Sequence, residues 1–77
     1  MRFKTLECVV LERSLPEHGL HKGDLGTVVE TYEPDGVEVE FVTGLGDTVV
    51  VLTLTERDVR GVGGDDILAI RPTRSAT

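Results

Sequence analysis

Residues 27–54 read TVVETYEPDGVEVEFVTGLGDTVVVLTL and contain three β-branched, apolar runs separated by two turns. Short runs of this composition, bounded by Gly, Pro and Asp, are typical of antiparallel strands. The run VEVEF at residues 37–41 alternates strictly, so its valines and phenylalanine are predicted to face a core and Glu38 and Glu40 to face away. The stretch therefore predicts a three-stranded meander with one dry face. The predicted core comprises Val28, Val37, Val39, Phe41, Leu52 and Leu54.

The two turns fix how these runs pair. Pro34 and Gly36 occupy the second and fourth positions of EPDG, which predicts a type I turn and makes residues 27–42 a hairpin. The glycine-rich residues 43–47 predict a second turn. Residues 48–54 follow without an interior charge, and we expect this strand to cross the middle of the sheet.

The segment before the meander predicts one more strand and a long loop. Residues 8–11, CVVL, form a four-residue apolar block in which Cys8 is expected to be a small buried side chain. Residues 12–22 are polar and predict an ordered loop. Gly23 and Gly26 are interpreted as structural turn residues, where the backbone needs a positive φ or a close approach that leaves no room for a Cβ.

The segment after the meander predicts closure of the fold. Residues 55–58, TERD, begin with a capping hydroxyl and predict a single 3₁₀ turn. Residues 62–66 resemble a flexible link, and residues 67–70 are expected to form the closing strand. We expect one domain over residues 1–72 and a frayed tail over 73–77.

These elements together predict an all-β fold, a small SH3-like barrel of about five antiparallel strands with one 3₁₀ turn. Closure of the sheet into a barrel would also remove its exposed edges. An open meander with one covered face is the structural alternative.

Length and composition limit the function classes. A chain of 77 residues has room for one core, and no apolar run approaches the roughly 20 residues that span a bilayer. The start of the chain lacks the apolar region of a signal peptide, and the single cysteine cannot form an internal disulfide. We therefore expect a cytoplasmic protein without membrane contact.

The charge is unevenly distributed along the chain. Eight Lys and Arg residues face 14 Asp and Glu residues, a net charge of −6, and no Lys or Arg occurs between Lys22 and Arg57. Eight acidic residues lie in that interval. The middle of the molecule should carry a negative potential, which disfavours nucleic acid as a partner.

The residues that could carry chemistry do not form a recognisable catalytic or metal set. His18 and His21 lie three apart on a loop and are interpreted as solvated. Glu38 and Glu40 point the same way about 7 Å apart, but an open sheet face offers no pocket to raise a carboxyl pKa. The segment GDLGTV, residues 23–28, leads into a strand and lacks the Lys-Ser/Thr of a phosphate loop. We predict no catalytic residue, cofactor or metal.

Three segments carry a family resemblance: VVLERSLPEHGLHKGDLGTVVETY at 9–32, VEVEF at 37–41 and DTVVVLTL at 47–54. They resemble a family of short bacterial proteins that is described only as a domain of unknown function. The resemblance implies an SH3-like barrel and supplies no activity, ligand or functional residue. It also implies a pairwise protein partner of the antitoxin or immunity type. KGDLGTV, residues 22–28, is more distantly similar to the KOW element of ribosomal and transcription proteins.

Three functions are compatible with the sequence. The first is a non-catalytic protein-interaction domain whose acidic hairpin face binds a basic partner. The second is a structural or accessory subunit that assembles through apolar barrel surface, and a homo-oligomer belongs here. The third, a KOW-like nucleic-acid module, is disfavoured by the charge. The residues predicted to bind a partner are Glu30, Glu33, Glu38, Glu40, Val49 and Val51.

Overall fold

The computed structural model describes residues 2–73, so the expected frayed tail lies, apart from Thr73, outside the described residues. The strands are β1 Cys8–Leu11, β2 Leu25–Tyr32, β3 Gly36–Val42, β4 Thr48–Thr55 and β5 Val59–Gly61. Two 3₁₀ turns, Pro16–His18 and Glu56–Asp58, lie between strands. The sequence predicted only the second of these turns.

The five strands form one antiparallel sheet in the order β4-β3-β2-β1-β5, which confirms the all-β prediction. The predicted position of the residue 48–54 strand is wrong, because β4 lies at an edge and β2 lies in the middle. β2 is long enough to pair with β1 through its first residues and with β3 along the rest of its length. The absence of charge in residues 48–54 predicted a strand with neighbours on both sides. The edge strand β4 instead leaves its uncharged outer side chains exposed.

Hydrogen bonding does not close the sheet into a barrel. Within residues 2–73, β4 and β5 are the two edges of the sheet and do not pair with each other. Residues 67–70, expected to form the closing strand, are irregular, and β5 follows the second 3₁₀ turn directly. β1 is only four residues long and already has β2 and β5 as neighbours, so it offers no edge to a later strand.

The core lies against the inner face of the sheet. Val28, Val37 and Val39 are fully buried and Phe41 is 3% exposed, as the alternation predicted. Leu54 is also buried, whereas Leu52 packs only partly against this cluster. The remaining buried members, which the sequence analysis did not assign to the core, are Phe3, Val9, Leu11, Leu15, Leu20 and Val59.

Cys8 is exposed, contrary to the expectation of a buried side chain. Val9 and Leu11 from the same strand belong to the core. Because side chains alternate between the two faces of a strand, Cys8 points away from that core.

The two glycines before and within β2 have different backbone roles. Gly23 has a φ of +96°, and its N–H donates to the Leu11 carbonyl at 2.9 Å. Gly26 packs against β3 so closely that an added Cβ would lie 2.5 Å from Val39 Cγ1 and 2.9 Å from Phe41 Cε1. The chain therefore enters β2 through a left-handed residue and then passes directly over the core.

The turn between β2 and β3 differs from the type I form expected. Tyr32 pairs with Gly36, so three residues rather than two lie between the paired positions. The Glu33–Pro34 peptide bond is cis. The hairpin over residues 27–42 is nevertheless formed as predicted, and a second turn joins β3 to β4 through hydrogen bonds between Thr43 and Asp47.

Charged side chains tie the loops to the strands. The Asp58 carboxylate accepts from the Thr55 N–H at 2.9 Å and from Arg13 Nε at 2.8 Å, so it caps the second 3₁₀ turn and holds the loop after β1. Arg71 makes a two-pronged contact with the Asp24 carboxylate. This contact fixes the C-terminal segment against the start of β2.

Candidate functional site: the outer face of the meander

The side of β2, β3 and β4 that points away from the core is the candidate site, and we call it the outer face. On β3 it carries Glu38 and Glu40, which alternate with the buried valines. In the register of the sheet, Glu40 lies opposite Val51 and Glu38 opposite Thr53. The outer face comprises Glu30, Tyr32, Glu38, Glu40 and Val51.

A β-bulge brings Glu30 onto this face. The register of β2 against β3 shifts between Val28 and Glu30, with Val28 opposite Val39 and Glu30 opposite Glu38. Counted strictly in twos from the buried Val28, Glu30 would point inward; the extra residue of the bulge turns it outward. Two carboxylates of like charge therefore occupy directly opposite positions on neighbouring strands.

Neutral hydroxyl groups hold two of the carboxylates. Tyr32 donates its hydroxyl proton to Glu38 Oε1 at 2.6 Å, and Thr48 Oγ1 donates to Glu40 Oε2 at 2.7 Å. The hydrogen bond to Glu38 raises the pKa of Tyr32, and partial burial and the negative charges of Glu38 and Glu30 act in the same direction. These two hydrogen bonds orient the carboxylates along the sheet.

The outer face has no internal cation to neutralise it. Residues 23–56 contain no Lys or Arg, and among the described residues none of the ion pairs involves Glu30, Glu38 or Glu40. Arg13, Arg60 and Arg71 pair elsewhere, with Glu12, Asp24, Asp58 and Asp66. The negative potential of this face is therefore directed toward solvent.

Exposed apolar side chains adjoin the carboxylates. Val51, opposite Glu40, is 41% exposed. Val49 is 40% exposed, but it lies at the register shift between Thr48 and Val50 and lines a cavity together with Phe41. The structure thus brings four of the six predicted partner-binding residues onto one face and leaves Val49 beside it. Glu33 lies in the turn beyond the paired residues Tyr32 and Gly36, at the end of that face.

Sequence reasoning missed Tyr32 and Thr48 as supports for the acidic face. Tyr32 is two residues from Glu30 and lies on the same side, but the bulge that places both of them outward has no sequence signal of its own. Thr48 is the first residue of β4, where a second register shift, between Phe41 and Val42, sets its position relative to β3. The pair Glu38 and Glu40 could therefore be predicted from the sequence, whereas their hydrogen-bond partners could not.

A separate cavity of about 580 Å³ lies between the loop after β1, the β3–β4 turn and residues 69–73. Its charged groups, Asp24 and Arg71, already bind each other. Burial raises the pKa of Asp24, but the hydrogen bonds from Arg71 and the His21 N–H outweigh it, and the pKa lies below its ordinary value. The two charged groups of the cavity are therefore satisfied by each other.

His18 and His21 are exposed, as the loop interpretation predicted. Within residues 2–73, no three His, Cys, Asp or Glu side chains cluster as a metal ion would require. The described part of the chain also has no helix that is long and apolar enough to cross a membrane.

Comparison with known proteins gives one match. A family model described as "Domain of unknown function (DUF4926)" matches residues 5–60, a span that includes β1 to β4 and most of β5. No curated protein and no solved structure matches the chain significantly. The matched residues exceed half of the sequence and include the whole outer face, so the chain belongs to the DUF4926 family of domains of unknown function.

Proposed function

We propose that this chain is a non-catalytic, cytoplasmic protein-interaction domain whose outer face binds a basic protein partner. The observation that supports the proposal is the arrangement of Glu30, Glu38 and Glu40 beside exposed Val51, with no Lys or Arg between residues 23 and 56. The two kinds of residue, predicted separately from the sequence, form one surface.

The arrangement suits recognition of a basic partner. Opposite charges accelerate encounter and select partners more than they add affinity. Val51 supplies apolar area that a partner can cover, and the carboxylates lie beside that area, as polar residues do at the rims of other interfaces. The partner we expect is a basic protein of the pairwise kind found in antitoxin and immunity systems.

The same geometry argues against catalysis. Glu38 and Glu40 accept hydrogen bonds from neutral hydroxyl groups and lie on an open face of the sheet. A general acid needs a raised pKa, which requires a pocket that this face does not provide. The phosphates of a nucleic acid would be repelled by the same carboxylates.

A second function, assembly as an accessory subunit, has its own supporting observation. Ile67 and Ile70 are 90% and 100% exposed, and Leu68 is 68% exposed, in addition to the two valines on β4. Apolar side chains this accessible in so small a domain favour contact with another chain. Assembly through these apolar side chains would depend little on salt, whereas the rate of binding through the acidic outer face would fall as salt is added.

Association kinetics separate the two functions. The partner is recovered from the native organism, purified and mixed with wild-type protein and with the double variant Glu38→Gln, Glu40→Gln. The variant should associate more slowly, and the difference should be largest at low salt, where the Debye length is about 10 Å or more. Its free energy of unfolding should be equal or higher, because the repulsion between Glu30 and Glu38 is relieved.

The matched control removes the same charge elsewhere. Glu17→Gln with Asp65→Asn changes two exposed acidic residues that lie off the outer face. This variant should associate almost as fast as the wild type. An association rate that neither salt nor the Glu38, Glu40 substitutions alter would show that the glutamates only solubilise the domain.

A further inference from the structure

The two edges of the sheet are built differently. β5 is three residues long, carries the charged Arg60 and is followed by a glycine-containing turn that Asp66 holds by accepting from Arg60 and from the Gly63 N–H. Short edge strands with charged residues resist pairing with other chains. That edge is protected in the way that natural sheets usually are.

β4 has none of these protections along most of its length. It has eight residues, TVVVLTLT, with no charge and no proline, and within residues 2–73 β3 is the one strand that pairs with it. The register shift at its beginning leaves regular pairing from Val50 to Thr55. A long, uncharged, unpaired edge presents a row of backbone N–H and C=O groups to another strand.

Both faces of β4 would gain from an added strand. On the inner side, Val50 and Leu52 pack only partly against the core and would be covered by apolar side chains of the incoming strand. On the outer side, Val51 lies at the edge, and Glu40 lies opposite it on the next strand. The incoming strand therefore needs apolar side chains on its inner face and side chains that can meet a carboxylate on its outer face.

Distance determines which residues fit the outer side. Neighbouring strands are about 4.8 Å apart, so a strand added to β4 would lie about 10 Å from β3. A Lys or Arg side chain spans much of that gap: its aliphatic stem can pack over Val51 while its charged head reaches the Glu40 carboxylate. A shorter or acidic side chain at the same position would leave the carboxylate unpaired or repelled.

We propose that β4 is the docking edge for an extended segment of the basic partner, which adds to the sheet with Lys or Arg at alternate positions and apolar residues between them. This proposal rests on the proposed function and specifies its partner. Backbone hydrogen bonds would supply part of the affinity, and the outer carboxylates would select the basic side chains. A second copy of the chain fits less well, because it would bring another acidic outer face to the same sheet.

The first test uses a short peptide of alternating lysine and valine, blocked at both ends, as the probe. Titrated into isotopically labelled protein, it should shift the amide resonances of Thr48–Thr55 and slow their hydrogen exchange. A peptide of the same composition with the lysines and valines in separate blocks should bind at least about tenfold more weakly. Resonance changes confined to the β2–β3 turn or the loop after β1 would overturn the docking edge.

Backbone methylation tests strand addition directly. In an added strand, the backbone N–H groups of alternate residues point toward β4. One peptide is methylated on the backbone nitrogen of every lysine and the other on the backbone nitrogen of every valine, so at most one of them keeps the N–H groups that pair with β4. One of the two should bind at least about tenfold more weakly than the other. Equal binding of the two peptides would rule out pairing with the edge.

Variants of Val51 provide the matched pair on the protein. Val51→Lys places a cation opposite Glu40 and should weaken peptide binding about tenfold or more, whereas Val51→Thr keeps a β-branched side chain and should change binding by less than about threefold. Because Val51 is 41% exposed, both variants should keep the wild-type melting temperature. Equal peptide binding by the two variants would contradict the proposal.

The outcomes distinguish this proposal from the proposed function. The native partner could still associate faster with wild type than with the Glu38, Glu40 variant while the peptides do not bind at β4. In that case the proposal that β4 is the docking edge is wrong, and the proposal that the acidic outer face binds the partner is retained. If the double substitution leaves association unchanged, the proposed function itself fails. A concentration-dependent dimer whose β4 amides are protected would assign the edge to a second copy and overturn the proposal.

Discussion

At the scale of single residues, the contact of Gly26 with β3 shows how tightly the core determines the backbone. Gly26 is buried, and the space where its Cβ would lie is occupied by Val39 and Phe41. Those two side chains are themselves 0% and 3% exposed, so they have little room to move away. The glycine therefore allows β2 to cross the core at the distance that packing requires.

Gly26→Ala should lower the free energy of unfolding by about 1–3 kcal/mol, the usual cost of overpacking a filled core. Urea denaturation measures it. Gly44→Ala is the control, because nothing lies within 4 Å of the position where its Cβ would be. Equal stability of the two variants would show that Val39 and Phe41 leave room for a side chain at position 26.

Phe41→Ala should lower the free energy of unfolding by about 3–5 kcal/mol, because it removes the largest side chain that β3 contributes to the core. A loss of this size is comparable to the total stability of many small domains. Thermal denaturation followed by circular dichroism tests it. Val42→Ala, at a 50% exposed position of the same strand, should have little effect. An unchanged melting temperature for Phe41→Ala would remove Phe41 from the core.

At the scale of elements, the sequence predicted the strands that alternate or carry clear turn signals. Residues 37–41 show the period of two, so the inner and outer faces of β3 could be assigned correctly. TERD likewise predicted the second 3₁₀ turn, because Thr55 and Asp58 hydrogen-bond locally. Local patterns of this kind are visible without knowledge of the fold.

The rest depended on long-range pairing that no local pattern reports. The edge position of β4 follows from the pairing of β1 with β2 and β5, residues far apart in the chain. The bulge that turns Glu30 outward is set by the partner strand. The apolar residues 67–70 fitted a strand by composition, but in the described structure they are irregular and pair with no strand of the sheet.

Acid should destabilise the loop–turn contact at Asp58. Burial raises the pKa of Asp58, but hydrogen bonds from the Thr55 N–H and Arg13 outweigh it, and the pKa lies below its ordinary value. A carboxyl whose folded pKa is depressed stabilises the fold above its unfolded pKa of about 3.9. That contribution is lost as the pH falls from about 4 through the lower folded pKa.

Asp58→Asn should therefore reduce the loss of stability between about pH 5 and pH 2, since the neutral amide no longer titrates. Its amide oxygen can still accept from the Thr55 N–H, so the turn should persist. Urea unfolding at several pH values measures the difference, with the exposed Asp65→Asn as control. An identical pH dependence for wild type and Asp58→Asn would contradict the role given to this carboxylate.

At the scale of the whole molecule, uncompensated negative charge is concentrated in one region. Arg13, Arg60 and Arg71 form ion pairs around β1, β5 and the C-terminal segment, whereas the meander of β2 to β4 carries acidic residues without Lys or Arg. Such a concentration of charge gives the molecule a preferred orientation as it approaches a charged partner. The unpaired edge of β4 lies beside the acidic region.

Methyl NMR of the complex tests most directly the claim that this region is the binding surface. With valine methyl groups labelled, the native partner should shift the resonances of Val51 on the outer face. Val62 is the internal control, because it is equally accessible, at 41%, and lies after β5. Shifts at Val51 with Val62 unchanged are the predicted result. Shifts at Val62 that leave Val51 unchanged would show that the outer face is not the binding surface.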